Sequence, residues 1–307
     1  MRVLVTGGGG FVGSHLVERL ERDGYDVFTA RRREYDLTRW EDAERLFRDA
    51  RPDRVFHLAG EVGGIGANRA SPGRFWYANL MMGAHVLELS RANNIGKLIV
   101  LGTVCAYPKN APTPFNEDEL WNGYPEETNA PYGVAKKSIL VGAQAYRAQY
   151  GTNAVYLVPA NMYGPRDNFD LQTSHTIPAL IRKMTENADE VVLWGDGTPS
   201  REFLYVDDCV DALVAAAERY DGGEPVNVGT GVETTIRELA EMIAELTGFD
   251  GEIVWDTSMP NGQPRRRLDT SRARELFGWE ARVPLRDGLE RTVAWYREHH
   301  AVAAAQA

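Results

Sequence analysis

The stretch Met1-Arg2-Val3-Leu4-Val5-Thr6-Gly7-Gly8-Gly9-Gly10-Phe11-Val12-Gly13 runs a short apolar, β-branched segment into four consecutive glycines, and a helical period comes next. It satisfies both GxGxxG (Gly8, Gly10, Gly13) and GxxGxxG (Gly7, Gly10, Gly13). Glycine permits a tight turn and close backbone approach, and the amides and dipole of a helix starting there can receive a pyrophosphate. A strand-to-helix turn that binds nothing uses the same residues. What favours a nucleotide is the place of this turn at the head of an alternating α/β chain.

Beyond it, Arg2–Val5, Asp26–Thr29, Arg54–Leu58, Lys97–Leu101 and Asn153–Val158 read as strands. Gly13–Asp23, Thr38–Ala50, Phe75–Asn93 and Ala130–Tyr150 read as the helices between them. Repeated strand–helix units with right-handed crossovers build a parallel sheet covered on both faces. The predicted class is α/β: a Rossmann-type doubly wound parallel sheet over residues 1–160, with some later segments returning to it, and a smaller C-terminal α/β region over 161–307 for substrate. After Val158 the pattern loosens into the loops Pro159–Asn168, Gly195–Ser200 and Pro260–Arg267, between helices near Ile177–Asn187, Asp207–Arg219, Thr234–Thr247 and Pro284–Glu298. The alanine-rich tail Ala301–Ala307 is expected to fray.

The 307 residues are 43% hydrophobic and 25% charged, a composition that folds as a globular protein rather than staying disordered. The net charge of −10 argues against coating a nucleic acid or a general attraction to anionic membranes, so any bound anion needs a local basic site. Two cysteines, Cys105 and Cys209, provide neither a disulfide framework nor a zinc spacing, and no metal is expected. With no signal-like or membrane-spanning apolar run, a cytoplasmic location is expected.

Cofactor choice depends on the residues just past the second strand, where a carboxylate on the ribose hydroxyls selects NAD. Here stand Arg31-Arg32-Arg33, a guanidinium cluster suited to a ribose phosphate, so NADP(H) is expected; a solvated basic loop is the alternative. Asp36, with Leu37 next to it, is better placed for the adenine edge than for the ribose.

Tyr132 and Lys136 lie four apart at the start of a helix and so share a face. A phenol with a pKa of about 10 is a poor proton shuttle unless a nearby cation favours its phenolate. Spacing alone also describes an idle surface pair. Thr103 adds the decisive element, because it comes after the strand Lys97–Leu101 at the sheet edge where open α/β proteins bind ligands, and its hydroxyl can hold a substrate oxygen. Together the three describe a carbonyl reductase.

On Val62–Asn68, Gly102–Lys109, Thr128–Lys136, Asn161–Pro165, Ser174–Leu180 and Trp194–Asp208, the chain resembles the extended short-chain dehydrogenase/reductase family over nearly its whole length. Within that family it is most similar to the GDP-sugar epimerase/reductases that turn GDP-4-keto-6-deoxy-mannose into GDP-L-fucose. The glycine turn and the Tyr132/Lys136 pair are common to the family, whereas the segments around Cys105 and His175 point to this branch. The resemblance implies that Tyr132 gives a proton to the reduced carbonyl, Lys136 supports it and anchors ribose, and Thr103 bonds the carbonyl. It implies Cys105 and His175 as the epimerising pair. A 4-ketone acidifies the hydrogens on carbons 3 and 5, a thiolate stabilised by a nearby cation can remove them, and an imidazole can return protons on the opposite face. Taken alone, Cys105 reads equally as a small buried residue and His175 as a cap.

The implied cofactor contacts are Gly7, Gly10, Phe11, Val12, Gly13, Arg31, Arg32, Asp36, Leu37, Leu58, Ala59, Gly60, Tyr132, Lys136, Pro159, Asn161, Met162 and His175. The implied nucleotide-sugar contacts are Asn161, Lys183, Trp194, Arg201 and Arg266, although Arg265-Arg266-Arg267 also reads as a solvated run. Relatives pair the helices corresponding to Phe75–Asn93 and Ala130–Tyr150 into homodimers. Two departures stand out: Thr103 replaces the usual serine, adding a methyl group over the sugar, and Gly9 stands where some relatives carry arginine. The competing readings are an enzyme acting on another nucleotide sugar, a 4-epimerase or dehydratase that retains NAD, and a dinucleotide sensor without turnover. Cys209, His15 and His57 read as structural.

Overall fold

The structure, a computed structural model, describes residues 1–186, 189–259 and 261–304. The first half alternates β1 (Arg2–Thr6), α1 (Phe11–Arg22), β2 (Asp26–Ala30), α2 (Trp40–Ala50), β3 (Arg54–His57), α3 (Ile65–Ala70), α4 (Pro72–Ala92), β4 (Lys97–Leu101), α5 (Ala130–Tyr150) and β5 (Ala154–Pro159). It continues through β6 (Asn161–Tyr163), α6 (Thr176–Glu186), β7 (Glu190–Trp194), β8 (Ser200–Arg201), β9 (Phe203–Tyr205), α7 (Val206–Arg219) and β10 (Val226–Val228). The remainder is β11 (Thr234–Thr235), α8 (Ile236–Thr247), β12 (Glu252–Asp256), α9 (Ser271–Phe277) and α10 (Leu285–Ala304).

Six parallel strands in the order β10-β5-β4-β3-β1-β2 form the central sheet. Its middle strands are apolar on both faces, with Val3, Leu4, Val5, Val55, Phe56, Ile99 and Leu157 buried, because helices cover each side. Connectivity reverses between β1 and β3, and in open α/β sheets the crevice for a ligand lies beyond the carboxyl ends of the strands at that reversal. The chain leaves the sheet after Pro159 and returns with α7, which packs on α1, and with β10, which pairs with β5. The rest of the second half is built on three two-stranded pairings: β6 with β9, β7 with β12, and β8 with β11.

Most expected elements are present with shifted ends. The strand expected at Arg54–Leu58 stops at His57, and the helix expected at Phe75–Asn93 starts at Pro72, because proline fits the first helical turn. The helix expected from Thr234 starts at Ile236, since Thr235 caps it by accepting a bond from the Glu238 amide. The expected loops 159–168 and 195–200 contain β6 and the first residue of β8, which exist through pairing with distant segments rather than through a local pattern. Asn187 and Pro260, ends of an expected helix and loop, and 305–307 of the expected fraying tail lie outside the described residues. Among the described residues no helix is long and apolar enough to cross a membrane.

The glycine turn is sterically specified at two points. Gly7 has φ +74°, and a Cβ there would lie 2.8 Å from Ala59 N; a Cβ on Gly13 would lie 2.0 Å from Gly7 O. Gly9 has open space. Gly13→Ala is therefore expected to cost about 1–3 kcal/mol in denaturant unfolding and to abolish dinucleotide binding, whereas Gly9→Ala stays within about 0.5 kcal/mol of the parent and binds normally.

Candidate active site

The helix α1 opens on Gly10, whose own amide is turned back onto Gly7 O at 2.9 Å. No side chain caps this helix and no acidic residue sits in its first turn, so its leading amides and positive dipole end face the crevice. That cradle fits a pyrophosphate. Beside it, Thr6 Oγ1 bonds His57 Nδ1 at 2.8 Å and accepts from the Ala59 amide at 3.3 Å, tying the ends of β1 and β3 together. Burial, with the charge of Lys136 second, pushes His57 down to about 3, so its imidazole stays neutral and structural. Leu58, Ala59 and Gly60 come after it along the carboxyl edge.

Arg31, Arg32 and Arg33 stand exposed just past β2, and Arg32 Nη1 lies 3.0 Å from Glu61 Oε2, a carboxylate that also pairs with Arg74. Asp36 Oδ1 accepts from Thr38 N at 3.1 Å and Thr38 Oγ1 at 2.7 Å, and the hydroxyl bond is the main reason its carboxyl lies below the usual range. Leu37 is buried in the core, and its carbonyl is bonded to His85 Nδ1 at 2.9 Å. The cradle and the arginines thus form one edge, while the side chains of Asp36 and Leu37 are engaged within the protein.

Past β4 the chain turns through Thr103 into a short 3₁₀ turn, Val104–Ala106, with Thr103 Oγ1 accepting from the Cys105 amide at 3.2 Å. The helix α5 crosses this turn at close range, since a Cβ on Gly133 would lie 2.4 Å from Cys105 O. That approach brings the Tyr132 phenol close to the Thr103 hydroxyl. One turn further, Lys136 is buried and its Nζ donates to Leu101 O at 2.9 Å. Tyr156 OH donates to Lys136 O at 2.9 Å, and its ring fills the space a Cβ on Gly102 would need. Burial raises the Tyr132 phenol above its ordinary value; a negative charge on Cys105 adds to this, and the Thr103 hydroxyl beside it opposes the rise. Burial lowers Lys136 to about 8. Tyr132 is therefore held as the neutral phenol, the form that can donate a proton, and the phenolate-favouring cation expected from the sequence is outweighed here by burial.

Arg266 Nη1 donates to Cys105 Sγ at 3.8 Å, which supplies the cation expected beside the sulfur. Gln263 holds Arg266 in place, accepting from Nε at 3.2 Å and from Nη2 at 2.9 Å. Arg201 lies in the same cluster, lowered to about 10 by burial and by the charge of Arg266. Asn161 Nδ2 donates to Glu202 O at 2.9 Å, which joins β6 to this corner. Lys183 Nζ donates to Val192 O at 3.2 Å, and Trp194 stands exposed at the end of β7. No hydrogen bond among the described residues links those two to the arginine pair. His175 is exposed just before α6, and desolvation by the surrounding protein lowers its pKa; no hydrogen bond among the described residues links it to Cys105 or Tyr132. Pro159 closes β5, and Met162 Sδ lies 3.4 Å from Cys209 Sγ; the Cys209 thiol is buried and pushed up to about 12.

The model of the NAD dependent epimerase/dehydratase family matches residues 3–229. The chain belongs to that family. It is 43% identical over 300 residues to GDP-L-fucose synthase 1 of Arabidopsis thaliana, covering 96% of this chain and 93% of that one. With the GDP-L-fucose synthase of Escherichia coli (strain K12) it shares 40% identity over 312 residues, covering 97% of each. Among solved structures, a GDP-6-OMe-4-keto-L-xylo-heptose reductase from C. jejuni superposes with a TM-score of 0.93 at 30% identity, covering 97% of this chain and 98% of that one. The cradle at α1 and the tyrosine–lysine pair fit the nicotinamide dinucleotide of the family.

Several residues that organise the site have no role legible in the sequence, although Asn68 and Glu202 lie within the segments Val62–Asn68 and Trp194–Asp208 that carry the resemblance. Glu202 is buried and accepts from the amides of Thr230 at 2.6 Å, Gly231 at 2.9 Å and Leu268 at 2.6 Å, which ties the irregular segment after Arg266 to the residue next to Arg201. Gln263, Asn68 and Asn79 likewise tie loops by side-chain amides. A buried polar residue is unremarkable in sequence until its partners are known.

Because the Lys136 ammonium loses its proton as the pH rises through about 8, carbonyl reduction is expected to decline across that range and to hold below it. A pH–rate profile of cofactor oxidation tests this, and Lys136→Met should remove the limb together with most of the rate.

Proposed function

We propose that the chain is an NADPH-dependent enzyme that inverts carbons 3 and 5 of a nucleotide-linked 4-keto-6-deoxy hexose and then reduces carbon 4, foremost taking GDP-4-keto-6-deoxy-mannose to GDP-L-fucose. The observation that carries this reading is the packing of Thr103, Cys105 and Tyr132 into one cluster with Arg266 on the sulfur. The names of the relatives supply the GDP-sugar. Reduction of a GDP-linked 4-keto heptose is the second reading, favoured by the C. jejuni reductase.

Inversion comes first, because reduction would remove the ketone that acidifies the neighbouring hydrogens. Cys105 takes the proton from carbon 3 or 5, Thr103 and Tyr132 hold the oxygen on which enolate charge develops, and His175 returns a proton. When bound, the reduced nicotinamide supplies the hydride for carbon 4. Tyr132 then gives its phenolic proton to the new alkoxide, and the Lys136 ammonium stabilises the phenolate left behind. Arg201 and Arg266, two cations in an acidic protein, suit the diphosphate of the substrate. Arg31 and Arg32 favour the 2′-phosphate of NADP over the bare ribose of NAD. Residues 1–160, with α7 and β10, hold the cofactor in this reading, and most of 161–307 holds the nucleotide sugar.

Product analysis by NMR in deuterated water tests the proposal. One NADPH is expected to be oxidised per ketone reduced, with deuterium at carbons 3 and 5 and NADH a poor substitute. Cys105→Ser and His175→Asn should cut deuterium incorporation while some reduction persists, and Tyr132→Phe should lower reduction by about 10²–10⁴-fold. Full turnover by Tyr132→Phe, or tightly held NAD with no net consumption, would overturn the assignment.

A homodimer through α4 and α5 belongs to the same proposal. These helices pack on each other yet leave Trp76, Tyr77, Val141 and Tyr150 exposed, an apolar surface suited to a second copy. Sedimentation should show about twice the monomer mass, and Val141→Glu should shift it to the monomer. Free thiols at Cys105 and Cys209 fit a reducing cytoplasm.

A further inference from the structure

The segment between β3 and α3 runs from the reduction machinery to the loop that carries His175. At one end, a Cβ on Gly60 would lie 3.8 Å from Lys136 Nζ. At the other, the Gly64 amide donates to Thr173 O at 3.2 Å, and a Cβ on Gly64 would lie only 2.9 Å from Ser174 O, the carbonyl immediately before His175. Gly64 has φ −64° and ψ 179°, a conformation open to any residue. Glycine is thus needed there for space and not for backbone freedom.

Both sides of this contact are stiff. Behind Gly64, the buried Asn68 donates from Nδ2 to Gly63 O at 2.8 Å and to Gly64 O at 3.1 Å. Asn79 holds Glu61 from both directions, accepting from its amide at 3.2 Å and donating to its carbonyl at 2.9 Å. Opposite, Asp170 Oδ1 accepts from the amides of Gln172 at 3.0 Å and Thr173 at 3.1 Å, and Asp170 O accepts from the Ser174 amide at 2.7 Å. His175 O then accepts from Ala179 N at 3.1 Å, so the histidine is joined directly to α6.

We infer that Gly64, braced by Asn68, is a positioning residue for the inverting step: its missing side chain sets how far His175 stands from the Tyr132–Lys136 centre. The inference rests on the reading of His175 as the proton-returning group. An added methyl group has no void to enter and meets a backbone carbonyl, so the His175 loop is pushed outward. Proton delivery depends steeply on such displacements, with about 1 Å able to cost about 10²-fold. Hydride delivery to carbon 4 does not use His175 and is left intact.

The experiment compares Gly64→Ala with Gly66→Ala, whose added Cβ meets nothing within 4 Å, and with His175→Asn. Expected for Gly64→Ala is a loss of about tenfold or more in kcat for deuterium incorporation at carbons 3 and 5, with KM for NADPH and keto sugar and the residual direct reduction within about twofold. Gly66→Ala behaves as the parent. The double variant Gly64→Ala/His175→Asn incorporates deuterium no more slowly than His175→Asn alone, because residues acting through one group are not additive. Should Gly64→Ala fold poorly, Asn68→Asp removes the two bracing donors without adding volume and is expected to show the same selective loss. A Gly64→Ala enzyme indistinguishable from Gly66→Ala, parallel loss of every activity and of NADPH affinity, or full additivity in the double variant overturns the inference. Undiminished exchange in His175→Asn instead removes the reading of His175 beneath it.

Discussion

A helix can bring a phenol and an ammonium to a ketone at the edge of a sheet only if its backbone comes almost into contact with the loop beyond the neighbouring strand. In this chain that approach is set at Gly133, where any side chain would overlap the Cys105 carbonyl. The glycine lies between Tyr132 and Lys136, so the residue that permits the contact is flanked by those that use it. Thr103 and Cys105 meet the phenol because the 3₁₀ turn and the helix share that point of contact. The buried Tyr156 supports both sides, one end of the ring under Gly102 and the hydroxyl on the Lys136 carbonyl.

Electrostatics are set by the same packing. The protein is acidic as a whole, yet cations stand at the site residues: Lys136 on the Leu101 carbonyl, Arg266 on the Cys105 sulfur with Arg201 near it, and Arg31 to Arg33 exposed just past β2. Burial weakens Lys136 as an ammonium and strengthens Tyr132 as a phenol holding its proton, which keeps the pair poised with the proton on oxygen.

How much the sequence reveals depends on the range of the interactions involved. The strands of the central sheet are apolar on both faces and the helices between them keep a clear period, so local pattern sufficed for the fold class. The short strands β6, β8 and β11 have two or three residues each and exist through distant partners, which no window of sequence contains. Thr103, Cys105, Tyr132 and Lys136 sit within motifs and could be named in advance; the structure brings these four together. Glu202 and Asn79 could not be given their roles, since a buried polar side chain is defined by the groups it satisfies and the loop groups they bind come from 18 to 66 residues away. Asn68 bonds locally, as Gln263 does to Arg266, but no pattern singles either out. Asp36 illustrates the reverse case, because a carboxylate two residues before a threonine is readily taken up by a local turn.

The Glu202 carboxylate has one more effect. By fastening the Gly229–Gly231 turn and Leu268 to the same point, it confines Arg201 and Arg266 to a distance at which their like charges repel. The folded chain therefore keeps two guanidinium groups side by side next to the Cys105 sulfur, with three backbone hydrogen bonds to one carboxylate fixing the neighbouring segments. In the proposed reading, a polyanionic substrate arriving there offsets that repulsion, so part of its docking energy comes from the charge arrangement of the free protein.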